Sequence, residues 1–249
     1  MLIKLKSQNI NCKSVYLLIL MFNFIVFPCH SELIVHYQAD GNALDSAGTN
    51  DGTLANNAGY AMGISGQAFD FDGINSFVQI IDNTVLDINI PLSITTWVRP
   101  ESLGSIDGTT GIIWKGDSIG SVTGQSFALL WSNDEVAFRL GETSAFFQTS
   151  YQPLALNKFS HLAATFDGVE MKLFINGSLA TSRNTVPMSI HNSFADMLIG
   201  STTISPAFGG DPTRFYFDGQ IDDVRIYTNI LTDAEILSMY DLIFENDFE

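Results

Sequence analysis

Between Phe159 and Leu179 the chain reads FSHLAATFDGVEMKLFINGSL, and two dipeptides within it, Asp167-Gly168 and Asn176-Gly177, constrain the fold most. Asn, Asp and Gly tolerate the positive φ of a type I′ turn, so each pair marks a hairpin. The strand between them alternates strictly, with Val169, Met171, Leu173 and Ile175 on one face and Glu170, Lys172 and Phe174 on the other. His161–Phe166 and Ser178–Arg183 are its natural antiparallel partners. Three paired strands with an apolar face must cover that face, and the rest of the chain supplies a second set of strands. The segment is therefore the middle of a β-sandwich.

Short alternating segments recur on both sides of it: 33–37, 66–72, 77–81, 92–100, 111–115, 126–131, 136–141, 145–149, 197–200, 215–217 and 221–227. That many strands separated by Gly, Ser and Asp turns, without intervening helices, indicate a sandwich or barrel. Asp40–Gly59 is polar, rich in Gly, Asn and Asp and without an apolar period, and is expected to be a loop. A single helix is expected near the C-terminus, where Thr232-Asp233-Ala234-Glu235 spells a capping box and Ile236, Leu237 and Tyr240 give an apolar face. Residues 241–249 are expected to form an acidic tail, frayed or loosely docked.

Residues 1–31 have the composition of a secretory signal peptide. Lys4, Lys6 and Lys13 precede an apolar run from Val15 to Phe27, and Pro28 ends it. The run is shorter than the roughly 20 residues a spanning helix needs. Cleavage after Ser31 leaves a single domain, residues 32–240, before the tail, in a secreted, extracellular or periplasmic protein with no membrane span in its mature chain. It also removes both cysteines, so no disulfide is expected. Net charge moves from −16 to −19, eight cations against 27 acids, a balance that excludes a basic nucleic-acid footprint.

Two enzyme signatures match in spelling and fail in context. Gly116-Asp117-Ser118-Ile119-Gly120 spells a nucleophile elbow, which requires a strand-to-helix turn, and here a strand follows. Glu245-Asn246-Asp247-Phe248-Glu249 spells a glycanase carboxylate row, but sits beyond the helix with no strand to aim it. The loop after Asp40 fails as an EF-hand because Asp45 replaces the turn glycine. His161 reads as a structural histidine with its hydrogen bonds satisfied.

Five segments together resemble the LamG-like jelly-roll family of the concanavalin A-like lectin/glucanase superfamily: HYQADGNALDSAGTNDGTL from His36, GQAFDFDG from Gly66, LSITTWVRP from Leu92, the hairpin segment from Phe159, and YFDGQIDDVRIYTNILTDAEI from Tyr216. The resemblance implies an all-β, antiparallel two-sheet jelly roll, to which the capping box adds one short C-terminal helix. It also implies a structural Ca²⁺, with Asp40, Asn42 and Asp45 matching the D-G-N-x-x-D signature and Asp222 matching I-D-D-V-R-I-Y. The alternative is that Asp45 caps a turn and Asp222 pairs with Arg225 or caps a loop.

A glycan ligand requires exposed aromatic faces beside planar polar groups. Trp114 and Trp131, each at a strand end beside a polar turn, and Arg139 and Tyr151 are the candidates, whereas Trp97 reads as packing. The expected function is a non-catalytic carbohydrate-binding or adhesion module whose partner is a glycan or an extracellular protein. The alternatives are a glycan-active hydrolase or lyase of the same fold, and a surface protein-interaction domain that binds no sugar.

Overall fold

In a computed structural model of the chain, the residues described are 32–103, 109–117, 124–142, 145–203 and 214–245. The proposed signal peptide, Ser118 of the elbow-like motif and residues 246–249 of the acidic row lie outside them. Two eight-stranded antiparallel sheets face each other. The first runs β14 (Ser178–Asn184), β13 (Glu170–Ile175), β12 (Ser160–Phe166), β6 (Leu92–Pro100), β18 (Asp218–Tyr227), β4 (Gln67–Asp72) and β3 (Gly59–Met62), with β1 (Leu33–Tyr37) also paired to β18. The second runs β10 (Phe146–Gln148), β9 (Glu135–Gly141), β8 (Gln125–Ser132), β7 (Thr110–Gly116), β15 (Met197–Ile199), β5 (Phe77–Ile80) and β2 (Gly52–Ala55), with β11 (Gln152–Pro153) also on β9. Strands β16 (Ser201–Thr203) and β17 (Arg214–Tyr216) pair with each other as a small third sheet.

The central hairpins form as the alternation requires. Met171 and Leu173 point into the core between the sheets, while Phe174 points to the other side. Asn176 and Gly177 take φ of 50° and 74°, the type I′ pair. At the other turn only Gly168 is positive, and the Asp167 carboxylate accepts hydrogen bonds from the Val169 and Glu170 amides. Leu92, Ile94 and Val98 of β6 join the same inter-sheet core, with Phe127, Leu129 and Trp131 of β8 opposite.

Both outer faces are partly covered. Helix α1 (Asp233–Glu245) lies against the first sheet, where Ile236 and Leu231 pack with Phe174, Ala163 and Tyr227. The capping box is formed: Thr232 N–H donates to Glu235 Oε2 (2.7 Å) and Glu235 N–H donates to Thr232 Oγ1 (3.3 Å). On the second sheet, Tyr216 of β17 packs on Phe77, Trp114, Ala128, Leu130 and Leu198.

Three expectations need correction. The polar stretch 40–59 is not a loop throughout, since it yields β2 and the start of β3. These strands end their sheets, where one neighbour supplies the backbone hydrogen bonds and little apolar surface is needed. Helical structure continues to Glu245, so the segment from Asp241 is not frayed from its start. Leu237 remains 45% exposed, and Ile236, Met239 and Tyr240 carry the helix contact.

Candidate functional site

The four metal candidates separate into two settings. Asp45 is 5% exposed and both its oxygens are occupied. Oδ1 accepts from the His36 and Ala47 amides (2.9 and 3.1 Å), and Oδ2 accepts from the Asn50 amide and Asn50 Nδ2 (3.1 and 2.8 Å). It is a hub fixing the loop to β1, as the turn-capping alternative required. Asn42 Oδ1 accepts from the Leu44 amide (3.0 Å), a local turn contact.

Asp40 and Asp222 instead converge on one turn, 63–66, between β3 and β4, and on the first residue of β4. Asp40 Oδ1 accepts from the Gln67 amide (2.8 Å) and Asp222 Oδ2 from the Ile64 amide (2.9 Å). The turn needs its glycines there, because a Cβ at Gly63 would collide with Asp222 Oδ2 and one at Gly66 with Asp40 Oδ1. Asp222 is 1% exposed, and Arg225 pairs with Asp223 rather than with it. Desolvation raises its pKa to about 7, the neighbouring Asp223 charge adding to the effect against the amide hydrogen bonds. Among the described residues no group of three or more His, Cys, Asp and Glu side chains is placed to hold a metal.

The tryptophan candidates are not exposed. Trp114 is fully buried beneath Tyr216 and its neighbours, with Nε1 donating to Gly116 O (2.7 Å). Trp131 lies in the inter-sheet core, with Nε1 donating to Ser102 O (3.2 Å). Position at a strand end beside a polar turn did not imply exposure, because β17 covers one ring and the facing sheet covers the other. Trp97 packs as expected, between His161 (5.1 Å) and Tyr240 (5.7 Å, 21° between planes). His161 is structural, yet its Nδ1 has no hydrogen-bond partner among the described residues.

The remaining two candidates, Arg139 and Tyr151, share a cleft of about 590 Å³, lined also by Phe146, Gln148, Thr149, Ser150, Ser182 and Arg183. Its construction follows from alternation. Val136, Phe138 and Leu140 of β9 point into the core, which turns Arg139 outward. Opposite it, Gln148 of β10 is its register partner, and Phe146 lies two residues along the same face. Strands β10 and β11 both pair with β9, so the intervening Thr149–Tyr151 arch is pinned at each end. Thr149 fastens it further, its amide donating to Phe138 O (2.9 Å) and its Oγ1 accepting from the Phe138 amide (3.1 Å). The far wall, Ser182 and Arg183, comes from β14, the edge strand of the other sheet.

Within the cleft, Arg139 Nε donates to Gln148 Oε1 (2.7 Å) and its guanidinium lies 4.6 Å above the Phe146 ring. Arg183 Nη1 donates to Gln148 O (2.6 Å), with its guanidinium 5.4 Å from the Phe147 ring. Burial pulls the Arg139 pKa down, and hydrogen bonding with Tyr151 opposes this. Planar donors, a phenol and an exposed ring in one concavity are the chemistry by which a protein holds a polyhydroxylated ligand. Gln148 and Arg183 were not anticipated. The period-2 pattern Phe146–Gln148 was a usable signal for the first, and the scarcity of cations, which makes the place of each informative, for the second.

Residues 72–237 match the family described as the concanavalin A-like lectin/glucanases superfamily. Among curated proteins, none matches. Among solved structures, the chain is similar to domain 4 of AbnA, a GH43 extracellular arabinanase from Geobacillus stearothermophilus, in complex with arabinotriose. That likeness has a TM-score of 0.65 at 23% identity and covers 84% of this chain and 98% of that one. It is also similar to a botulinum neurotoxin type C structure, described under the dependence of cell entry on two ganglioside molecules (TM-score 0.66, 17% identity, 85% and 51% covered). The binding domain of Paraclostridial Mosquitocidal Protein 1 is a third (TM-score 0.65, 14% identity, 86% and 52% covered). The matched region is thus nearly the whole arabinanase domain and about half of each toxin chain. At these identities the likeness establishes the fold.

Proposed function

The chain belongs to the concanavalin A-like lectin/glucanase superfamily, and from that premise we propose that it is a non-catalytic carbohydrate-binding module acting outside the cell. The observation that carries this reading is the cleft between Arg139, Tyr151 and Arg183 at the sandwich edge. Neighbours of the same fold include one solved with arabinotriose and one described with gangliosides, which supports a glycan as the ligand class. Glycoside hydrolysis needs two carboxyl groups flanking the scissile bond, and among the described residues none lining the cleft is Asp or Glu, which supports binding without turnover. The cationic and then apolar composition of residues 1–31 supports export. A glycan array followed by calorimetry, with reducing-end release from each bound polysaccharide measured in parallel, tests the reading. Binding abolished by Tyr151→Ala without sugar release is the expected result. No glycan bound, or release of sugar ends, would overturn it.

Calcium belongs to the same proposal, on a smaller ligand set than the sequence indicated. Asp40 and Asp222 fit a cation because both carboxylates are held against one glycine turn and Asp222 is buried with no cationic partner among the described residues. Asp45 and Asn42 do not fit, their oxygens being engaged elsewhere. Ca²⁺ takes six to eight oxygens, so backbone carbonyls and water would complete the shell. The ion would supply the positive charge that Asp222 lacks. Calcium in excess should raise the melting temperature of the parent protein and leave Asp222→Asn unmoved, and equal shifts in both would overturn the assignment.

A further inference from the structure

Four arginine side chains are described, and they divide evenly. Arg99 pairs with Glu101 (3.2 Å) and Arg225 with Asp223 (3.0 Å). Arg139 and Arg183 form no ion pair among the described residues, and both line the same cleft. In a chain with 27 acids against 11 bases, random placement would put a carboxylate beside most cations. Here no acid is among the described residues of the lining.

The two guanidinia are nevertheless ordered. Gln148 holds both, through its side-chain oxygen to Arg139 and its backbone oxygen to Arg183, and an aromatic ring lies against a face of each. A guanidinium has five N–H donors, and these contacts use a minority of them. Its planar fork matches the two oxygens of a carboxylate or sulfate, giving charge-assisted hydrogen bonds about twice as strong as neutral ones. Two like charges in one small concavity also repel, and a bound anion relieves that repulsion. Neutral hydroxyls would be satisfied by amide side chains without this electrostatic arrangement.

We propose that the cleft selects saccharides carrying an anionic group, a carboxylate or a sulfate, which Arg139 and Arg183 hold from two sides. The proposal rests on the reading of the cleft as a glycan site and narrows it. Its location is specific: the anion would sit at the meeting of edge strands β10 and β14, one from each sheet, rather than on the face covered by Tyr216.

Calorimetric titration of the full chain with four probes decides it: oligogalacturonate, its methyl ester, a heparin oligosaccharide and arabinotriose. The acid form is expected to bind at least tenfold tighter than its ester, and Arg183→Gln to weaken the acid form about tenfold, a clearly larger factor than it costs the ester. Arg183 is exposed, so this variant does not depend on the tolerance of the more enclosed Arg139. Arg183→Lys should recover part of the loss. Heparin and oligogalacturonate separate sulfate from carboxylate. Equal affinity for acid and ester overturns the anion selectivity and leaves the glycan reading standing. Charged probes bound equally by the parent protein and by Arg139→Gln/Arg183→Gln overturn the site. Failure of all four probes overturns the selectivity, and a full glycan array without a hit would then remove the glycan reading as well.

Discussion

The outer face of the first sheet and the edge cleft treat charge in opposite ways. On the outer face, ionisable groups are enclosed. His161 is 2% exposed against Trp97, which stacks on Tyr240 of α1, and burial lowers its pKa to about 4. Asp222, the register partner of Trp97 on the next strand, is enclosed by the Gly63–Gly66 turn and is raised to about 7. Both groups are thereby driven toward neutrality. At the edge, Arg139 and Arg183 keep fixed charges, with their hydrogen bonds to neutral oxygens. Enclosure that suppresses charge serves the fold, and charge held in place without a counter-charge is available to a ligand.

The largest effect that sharpens this contrast is in pH-dependent stability. Asp222 has a folded pKa above its unfolded value of 3.8, so its contribution is full below pH 3.8 and is lost as pH rises through about 7. Its full extent is on the order of 4 kcal/mol at 1.36 kcal/mol per pH unit. His161 has a folded pKa below its unfolded value of 6.5, so its contribution is present above 6.5 and lost as pH falls through about 4, on the order of 3 kcal/mol. Between pH 4 and 6.5 the two slopes oppose each other, and without calcium their sum is nearly flat. Denaturant titrations across that window should show stability rising with pH in Asp222→Asn and falling with pH in His161→Phe. If neither variant changes the slope, the two groups are not enclosed as described.

Next in size is the helix closure itself. Ile236 is fully buried on the sheet-facing side of α1, and Ile236→Ala should cost about 2–4 kcal/mol. Thr232→Ala removes the formed capping box and should cost about 1 kcal/mol, or roughly 2–4 °C of melting temperature in a domain of this size. Neither should alter glycan affinity measured below the transition. A loss of binding would mean that the closed face and the cleft are coupled.

The two regions also differ in how far the sequence disclosed them. The enclosed face was largely legible, because its signals are local: a capping box over four residues, alternation along β6 and β13, and a positive-φ dipeptide at Asn176-Gly177. Even there, Trp97 could be assigned to packing but not to its place between His161 and Tyr240, which depends on where the helix returns. The cleft was only half legible. Arg139 and Tyr151 were anticipated, but Gln148 and Arg183 meet across 35 positions on edge strands of different sheets, and strand order is not encoded in periodicity. The same gap explains Trp114 and Trp131, whose local surroundings are polar while their covers come from distant segments. The metal set divided for a related reason, since Asp45 and Asn42 are satisfied by their own loop and the neighbouring β1 whereas Asp40 and Asp222 meet at a turn between β3 and β4 that neither adjoins.

The smallest effect tests the edge directly. Arg183 is exposed at the end of β14, makes one hydrogen bond to a backbone oxygen and takes part in no ion pair among the described residues. Arg183→Gln should therefore change stability by no more than about 0.5 kcal/mol, since exposed substitutions that bury nothing and break no network are near neutral. Binding should also be insensitive to pH where stability is not. The described lining of the cleft contains no carboxylate and no histidine, and guanidinium stays protonated throughout the accessible range. Carboxylate and sulfate probes are themselves ionised above pH 5. Affinity for oligogalacturonate, measured by calorimetry in one buffer series at constant ionic strength, should stay constant from pH 5 to 8, even as the Asp222 contribution to stability declines across the same interval. An affinity that falls with pH alongside stability would show that the edge shares the titrating groups of the enclosed face, and that the cleft is not held by the sandwich independently of them.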